Sequence, residues 1–93
     1  MVNLNLSTFY SKAYTFTTDT AIRIEQDPTI ILSSCNIHCY TNDCYYGNTG
    51  SSDAIIRTNA TVWFDGKIRP YDFIFKNYTA GQNAKIVIVG IVQ

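Results

Sequence analysis

The residues with the greatest capacity for chemistry lie in one short segment, Cys35 to Cys44, which holds all three cysteines and the only histidine. A zinc site there would join the three thiolates to the imidazole of His38. The segment has no C-x-x-C pair, and on a β-strand His38 would point away from the face that carries Cys35 and Cys39. We therefore expect no metal ion and no thiol–imidazole pair for nucleophilic catalysis.

The three cysteines leave two further interpretations open. Cys39 and Cys44 could form a disulfide across a turn at residues 40–43, whereas Cys35 and Cys39 are too distant to bond, at about 13 Å in an extended strand. Any single bridge leaves one thiol unpaired. In the other interpretation all three cysteines are free and pack as small hydrophobic side chains.

Motifs of familiar catalytic chemistry are absent from the sequence. It contains no G-x-S-x-G elbow, no H-E-x-x-H pair and no glycine-rich phosphate loop. We therefore expect no catalytic residues, no cofactor and no enzyme activity.

Tyrosines form the second group with binding capacity. Tyr40, Tyr45 and Tyr46 lie beside the loop Gly47–Asp53, which is rich in Asn, Ser and Gly. Tyrosine offers a large amphipathic contact surface at little entropic cost, so such a patch could stack on sugars or contact a partner protein. The alternative is ordinary packing at the end of a sheet, where tyrosine is common.

Three N-glycosylation acceptor sequences begin at Asn5, Asn59 and Asn77. In a chain so rich in Asn, Ser and Thr, such matches arise by chance. Whether any of the three is modified stays open.

Residue usage and alternation predict an all-β fold. Thr, Ile, Val, Tyr and Phe are frequent, and no stretch shows the i, i+3, i+4, i+7 spacing of a helix. The length fits one domain, residues 1–93, and the strand pattern predicts a small antiparallel β-sandwich or jelly-roll-like barrel of six to seven strands. Strands are expected at residues 12–17, 20–25, 29–40, 54–64, around 67–75, and 84–92.

Three details of this prediction bear on the surface of the domain. Asp65-Gly66 is a strong signal for a two-residue hairpin turn. Trp63 is expected near the core. The last strand, Ala84–Val92, is apolar on both faces, which predicts a central place in the sandwich or burial between subunits.

Composition favours contact with other chains. Hydrophobic residues make up 46% and charged residues 15% of the sequence, against roughly 25% charged in typical soluble domains. Part of the surface is therefore expected to be buried in an assembly. The net charge is zero and the basic residues are scattered, which argues against a nucleic-acid partner and against a polybasic membrane contact. No signal peptide and no membrane-spanning stretch are expected.

The segment Phe75–Gly90 combines a strand, a turn rich in Thr, Gly and Asn, and an apolar closing strand. In this pattern, with support from Asp27–Ile31 and Asp65-Gly66, the chain resembles the small β-sandwich virion proteins of tailed phages and other prokaryotic viruses. The resemblance implies a capsid decoration, capsid accessory or tail-associated protein, located in the virion and assembled with copies of itself and with other virion proteins. It assigns no functional residues.

We therefore expect a non-enzymatic structural component of a virus particle that acts through subunit–subunit contacts. The alternative is a carbohydrate-binding module that uses Tyr40, Tyr45 and Tyr46, with glycans as its partners.

Overall fold

The computed structural model describes residues 9–48 and 54–93. Within these ranges the chain forms seven β-strands and one short 3-10 helix at Pro70–Asp72. The strands are β1 (Phe9–Thr15), β2 (Leu32–Thr41), β3 (Cys44–Gly47), β4 (Ala54–Ile56), β5 (Thr61–Ile68), β6 (Ile74–Asn77) and β7 (Lys85–Val92).

The described strands pair into two antiparallel sheets. The large sheet has the order β1-β7-β2-β5, and the small sheet has the order β4-β3-β6. The chain passes from the large sheet to the small one at a tight turn between β2 and β3, where Asn42 adopts a φ of 59°. Side chains from both sheets share one buried core, which confirms the predicted all-β sandwich. The core includes Phe16, Leu32, Cys35, Ile37, Cys39, Cys44, Ile56, Phe75, Ala84, Ile86 and Ile88.

Strand β7 lies inside the large sheet, between β1 and β2. Ile86 and Ile88 point into the core and are fully buried, while Val87 and Val89 lie half-buried on the opposite face. Of the two predicted places for this strand, the central one is therefore confirmed. Gly90 continues the inward row, and a Cβ atom there would lie 2.6 Å from the Ser34 carbonyl oxygen. Only glycine lets β2 and β7 approach so closely at this point.

A buried carboxylate anchors the edge strand β1. Glu25 is only 6% exposed. Its Oε1 accepts a 2.7 Å hydrogen bond from the Tyr10 hydroxyl, and its Oε2 accepts a 3.0 Å bond from the Asp27 N–H. The Lys12 ammonium lies 3.5 Å from Oε1. Burial raises the pKa of Glu25, but these hydrogen bonds and the Lys12 charge outweigh it and bring the pKa below its ordinary value.

A buried amide, that of Asn77, joins the end of the small sheet to the start of β7. Asn77 lies at the end of β6, and its two Nδ2 N–H groups are shared among three acceptors, the Thr18 carbonyl oxygen, Asp19 Oδ1 and Asn83 Oδ1, each at 3.1 Å. Its Oδ1 accepts a 2.9 Å hydrogen bond from the N–H of Ala84, just before β7. One side chain therefore ties the segment after β1 to the turn between β6 and β7.

Residues 20–25 do not form the predicted strand. A single bridge joins Ile22 to Phe75, and the next turn buries both Ile24 and Glu25. Neighbouring residues on a strand point to opposite faces, so a regular strand cannot bury both in one core. The hydrogen bonds of Glu25 draw the chain into a turn.

The predicted strand 54–64 is divided between the two sheets. Strand β4 ends at Ile56 and β5 begins at Thr61. Between them Asn59 adopts a φ of 67°, and the Thr58 N–H donates a 2.8 Å hydrogen bond to Asp43. This turn sends β4 to the small sheet and β5 to the large one.

The Asp65-Gly66 pair is not a hairpin turn. Strand β5 runs through it to Ile68, with Gly66 at a φ of 100°. The register steps from the pair Ser34–Asp65 to the pair Leu32–Ile68, so β5 carries one extra residue. This is a β-bulge, and it uses the same positive φ that makes glycine favourable in hairpin turns.

Candidate interaction face

The structure separates the thiols of the Cys35–Cys44 segment from its histidine. Cys35 and Cys39 point into the core. His38 lies on the opposite face of β2, with Nδ1 2.6 Å from the hydroxyl of Thr61 and its ring 4.5 Å from the ring of Tyr40. Among residues 9–48 and 54–93, no group of three or more His, Cys, Asp or Glu side chains converges as a metal site would require.

All three cysteines are free and buried, and the candidate bridge between Cys39 and Cys44 is not formed in this structure. The Cys39 thiol donates to the Asn42 carbonyl oxygen at 2.7 Å, and the Cys44 thiol donates to the Tyr45 carbonyl oxygen at 3.2 Å. Burial raises the pKa of Cys35 and of Cys39 to about 11 and that of Cys44 to about 12. The thiols are therefore protonated and shielded at neutral pH.

The three tyrosines of the predicted recognition patch point in three different directions. Tyr46 turns inward and packs edge-on against Phe64, with ring centroids 6.1 Å apart. Tyr45 lies on the outer face of the small sheet, and Tyr40 lies beside His38 on the outer face of the large sheet. The structure does not bring the three rings together. Residues 49–53 of the adjoining loop lie outside the described residues.

The outer face of the small sheet pairs aromatic rings with cations. Tyr45 and Tyr78 have ring centroids 5.0 Å apart. The Lys76 ammonium lies 5.5 Å from the Tyr45 centroid, and the Arg57 guanidinium lies 5.0 Å from the Tyr78 centroid. Arg57 also forms a 2.8 Å ion pair with Asp43, and this hydrogen bond lowers the pKa of the Asp43 carboxyl. We call this group the cationic face.

The outer face of the large sheet has a different character. Trp63 is 75% exposed, Phe9 61% and Ile91 52%. Trp63 pairs with Asn36, which pairs in turn with Val89, so these side chains form one row across three strands. The expectation that Trp63 lies near the core is wrong. Its neighbours in sequence, Val62 and Phe64, pack against the core instead, and alternation along β5 turns the indole outward.

We call this surface the apolar face, and its ionic side chains lie only at the rim in the part of the chain that the structure describes. Lys85 lies at one end of β7, and Asp65 and Lys67 lie on the edge strand β5. Between them the described face carries no Asp, Glu, Lys or Arg side chain. The apolar face comprises Phe9, Trp63, Val87, Val89 and Ile91, with Tyr40 at one end and Ser11, Ala13, Ser34, Asn36, His38 and Thr61 between them.

A groove of about 250 Å³ runs along β2 within the apolar face. Trp63 forms one wall, and the other wall is formed by Phe9, Val89 and Ile91. The short side chains of Ser34 and Asn36, with the backbone of Cys35 and Gly90, line its floor. Pockets for drug-sized ligands take roughly 300–1,000 Å³, so this groove fits a protein side chain better than a cofactor.

Sequence reasoning missed the apolar face for two reasons. A lone tryptophan in an apolar strand predicts a core residue. Alternation along the strand places Trp63 opposite Val62 and Phe64, but it does not tell which of the two faces is covered. Phe9 preceded the predicted first strand, which begins at residue 12, whereas β1 begins at Phe9 itself.

The acceptor sequences differ in accessibility. Asn77 is 3% exposed and its amide nitrogen is fully engaged, so the folded chain does not present it for glycosylation. Asn59 is exposed in the turn between β4 and β5, and Asn5 lies outside the described residues.

Among residues 9–48 and 54–93, no helix is long and apolar enough to cross a bilayer. Comparison with protein-family models, with curated proteins and with solved structures finds no match to this chain.

Proposed function

We propose that this chain is a non-enzymatic structural component of a virus particle and that it acts by burying its apolar face against neighbouring subunits. The observation that carries the proposal is the 75% exposure of Trp63 beside Phe9 and Ile91. An exposed apolar patch of this kind, ringed by polar and ionic residues, is typical of a protein–protein contact surface. Tryptophan in particular is enriched among the residues that dominate binding energy at such contacts.

The exposed area of the aromatic rings is large enough for a contact that stabilises an assembly. An aromatic side chain offers about 150–250 Å², so the exposed parts of Trp63, Phe9 and Tyr40 amount to roughly 400 Å². At about 25 cal/mol per Å², covering that area contributes on the order of 10 kcal/mol per chain before the entropic cost of association. That cost is about 4–15 kcal/mol, so the net strength of the contact depends on how closely the two surfaces fit.

We propose a place in a virion because the sequence pattern of Phe75–Gly90 resembles that of small virion proteins. The strand, turn and closing strand of that segment correspond to β6, the turn organised by Asn77, and β7. Strand β7 supplies Val87, Val89 and Ile91 to the apolar face.

The proposal is tested on particles purified from a culture that produces this protein. We expect the chain at a fixed ratio to the major shell or tail protein by quantitative mass spectrometry. The variant Ile91→Lys should be lost from the particles because it puts a charge into the contact. Ile55→Lys is the matched control on the outer face of the small sheet, where Ile55 is 36% exposed, and it should be incorporated normally.

Two results would contradict the proposal. One is a wild-type chain that never co-purifies with particles. The other is equal incorporation of the Ile91→Lys and Ile55→Lys variants, which would place the contact elsewhere.

A further inference from the structure

We infer that the apolar face is covered by a second copy of this chain, packed face to face about a two-fold axis. The inference rests on the proposed function, because it names the partner of the same surface. Three features of the face support it: its shape, its charge and its area.

The shape of the face is complementary to itself. A two-fold contact uses one patch on both subunits, so that patch must supply a projection and a matching recess. Trp63 is the most exposed large hydrophobic side chain of the described residues, and the groove lies directly beside it. An axis passing near Asn36 would place each indole against the groove of the other copy. The polar groups of Ser34 and Asn36 on the floor could then accept the indole N–H, which needs a partner when buried.

The charge of the face favours an identical partner. A partner of opposite charge would be selected by ionic groups in the centre of the contact, and the described part of this face holds its ionic groups at the rim. Lys85, Asp65 and Lys67 there are of both signs, and the whole chain has a net charge of zero. Two copies therefore approach without electrostatic repulsion, and no desolvated charge is left unpaired in the centre.

The area is close to what a stable pair needs. Strand β1 has seven residues, so the four strands span roughly 19 Å by 23 Å at about 4.8 Å between strands and about 3.3 Å per residue. Side-chain relief raises the accessible area of such a face toward the roughly 800 Å² that each partner contributes to a standard interface. Two sheets stacked in this way lie about 10 Å apart, as they do inside a β-sandwich.

The experiment uses the purified full chain alone, in sedimentation equilibrium from about 1 to 100 µM, together with tryptophan fluorescence. The chain has one tryptophan, and it lies on the face in question, so its emission reports directly whether the face is covered. We expect a monomer–dimer equilibrium in which the emission shifts to shorter wavelength as the dimer forms.

Two matched variants locate the contact. Ile91→Lys should weaken the dimer at least 100-fold and keep the indole emission at long wavelength at every concentration. Ile55→Lys, the same replacement on the other sheet, should dimerise like the wild type. Far-ultraviolet circular dichroism checks that both variants are folded.

Four outcomes would overturn the inference: a wild-type monomer at 100 µM, a dimer in which the indole stays exposed, a dimer insensitive to Ile91→Lys, or an oligomer larger than two. A monomer whose Ile91→Lys variant is still lost from particles would mean that a different virion protein covers the face. The proposed function would then stand and the identity of the partner would be wrong. If the wild type is a monomer and the Ile91→Lys variant is still incorporated into particles, both the inference and the proposed function are wrong.

Discussion

The aromatic side chains on the outer faces of the two sheets have different neighbours. On the cationic face, Tyr45 and Tyr78 contact each other and lie beside Lys76 and Arg57. On the apolar face, Tyr40 at one end lies beside the His38 ring and the Lys85 ammonium. Trp63 makes no ring or cation contact of this kind among residues 9–48 and 54–93, and at 75% it is far more exposed than Tyr78 at 37%.

The difference shows why the exposure of an aromatic residue is a weak indication of a binding surface until the neighbours of that residue are known. The tyrosines of the small sheet obtain their contacts inside the domain, through the ring pair and through cations that remain hydrated. The indole of the large sheet lies across a row of short polar and aliphatic side chains and has no such contact in the described residues. The first arrangement stabilises the monomer, whereas the second leaves exposed the surface that we propose as the contact.

The largest effect is expected from Gly90→Val, which tests whether the apolar face depends on the close approach of β2 and β7. Even a Cβ atom would lie 2.6 Å from the Ser34 carbonyl oxygen and 2.7 Å from Leu32 Cδ1. We expect a loss of about 3 kcal/mol in the free energy of unfolding, since overpacking of a tight site costs roughly 1–3 kcal/mol or more. Urea unfolding measures it. Ala13→Val on the exposed face of β1 is the control and should change little; equal losses would show that Gly90 is not a close-packed position.

The next effect is expected from Asn77→Ala, at the connection between the small sheet and β7. The change removes the amide whose two N–H groups serve three acceptors, and it leaves the Ala84 N–H without its acceptor. We expect a loss of about 2 kcal/mol in unfolding free energy, because unsatisfied buried groups cost about 1–3 kcal/mol each. Asn83→Ala, which removes only one of these side-chain contacts, should cost less than half as much. Similar losses for the two variants would count against Asn77 as the central residue of the network.

A smaller, pH-dependent loss of stability is expected from Glu25→Gln. This change weakens the hydrogen bonds that hold β1, the strand that carries Phe9, in place. Because hydrogen bonds lower the pKa of Glu25 in the folded chain, its ionised form contributes stability above the ordinary glutamate pKa of about 4.3. That contribution is lost as the pH falls through the lowered folded value. We expect the variant to be less stable by about 1 kcal/mol at pH 7, with the gap closing below about pH 4. Urea unfolding of both proteins across that pH range measures the difference in unfolding free energy. A difference that stays constant with pH would contradict the prediction, because it would mean that the carboxylate charge has no effect.

The smallest effects separate the two outer faces most directly. In the monomeric Ile91→Lys background, Tyr78→Ala should lower the unfolding free energy by about 1 kcal/mol through loss of the ring and cation contacts. Trp63→Ala should change it by less than about 0.5 kcal/mol, as surface replacements usually do, although it deletes the larger ring. Thermal unfolding of both variants measures the difference, and the reverse ranking would mean that the indole is already used within the monomer.

Much of the fold could be predicted from local pattern. The alternation of Cys35, Ile37 and Cys39 predicts one buried face of β2, and all three are buried. The two-faced apolar pattern of residues 84–92 predicts either a central strand or burial between subunits, and β7 is central. Free cysteines packed as hydrophobic side chains were one of the interpretations left open, and the structure shows all three in that state.

The candidate face could not be predicted in the same way. The sequence predicts Trp63 near the core and Tyr40, Tyr45 and Tyr46 in one patch, and the structure shows neither. Both expectations depend on which sheet a strand joins, and that choice is made by pairing between residues distant in sequence. The turn at residues 57–60 that separates β4 from β5 is held in part by Asp43 and by the Cys39 carbonyl, neither of which is local to it.

The amino-acid sequence by itself determined the all-β class, the neutral and charge-poor surface, and which residues share a face of each strand, because alternation is a local property of extended backbone. Only the tertiary structure decided which of those faces is covered. The pairing of β5 with β2 turns Val62 and Phe64 into the core, and the same pairing leaves Trp63 exposed beside the groove. Burial is a property of the whole packing arrangement, and no single segment contains it.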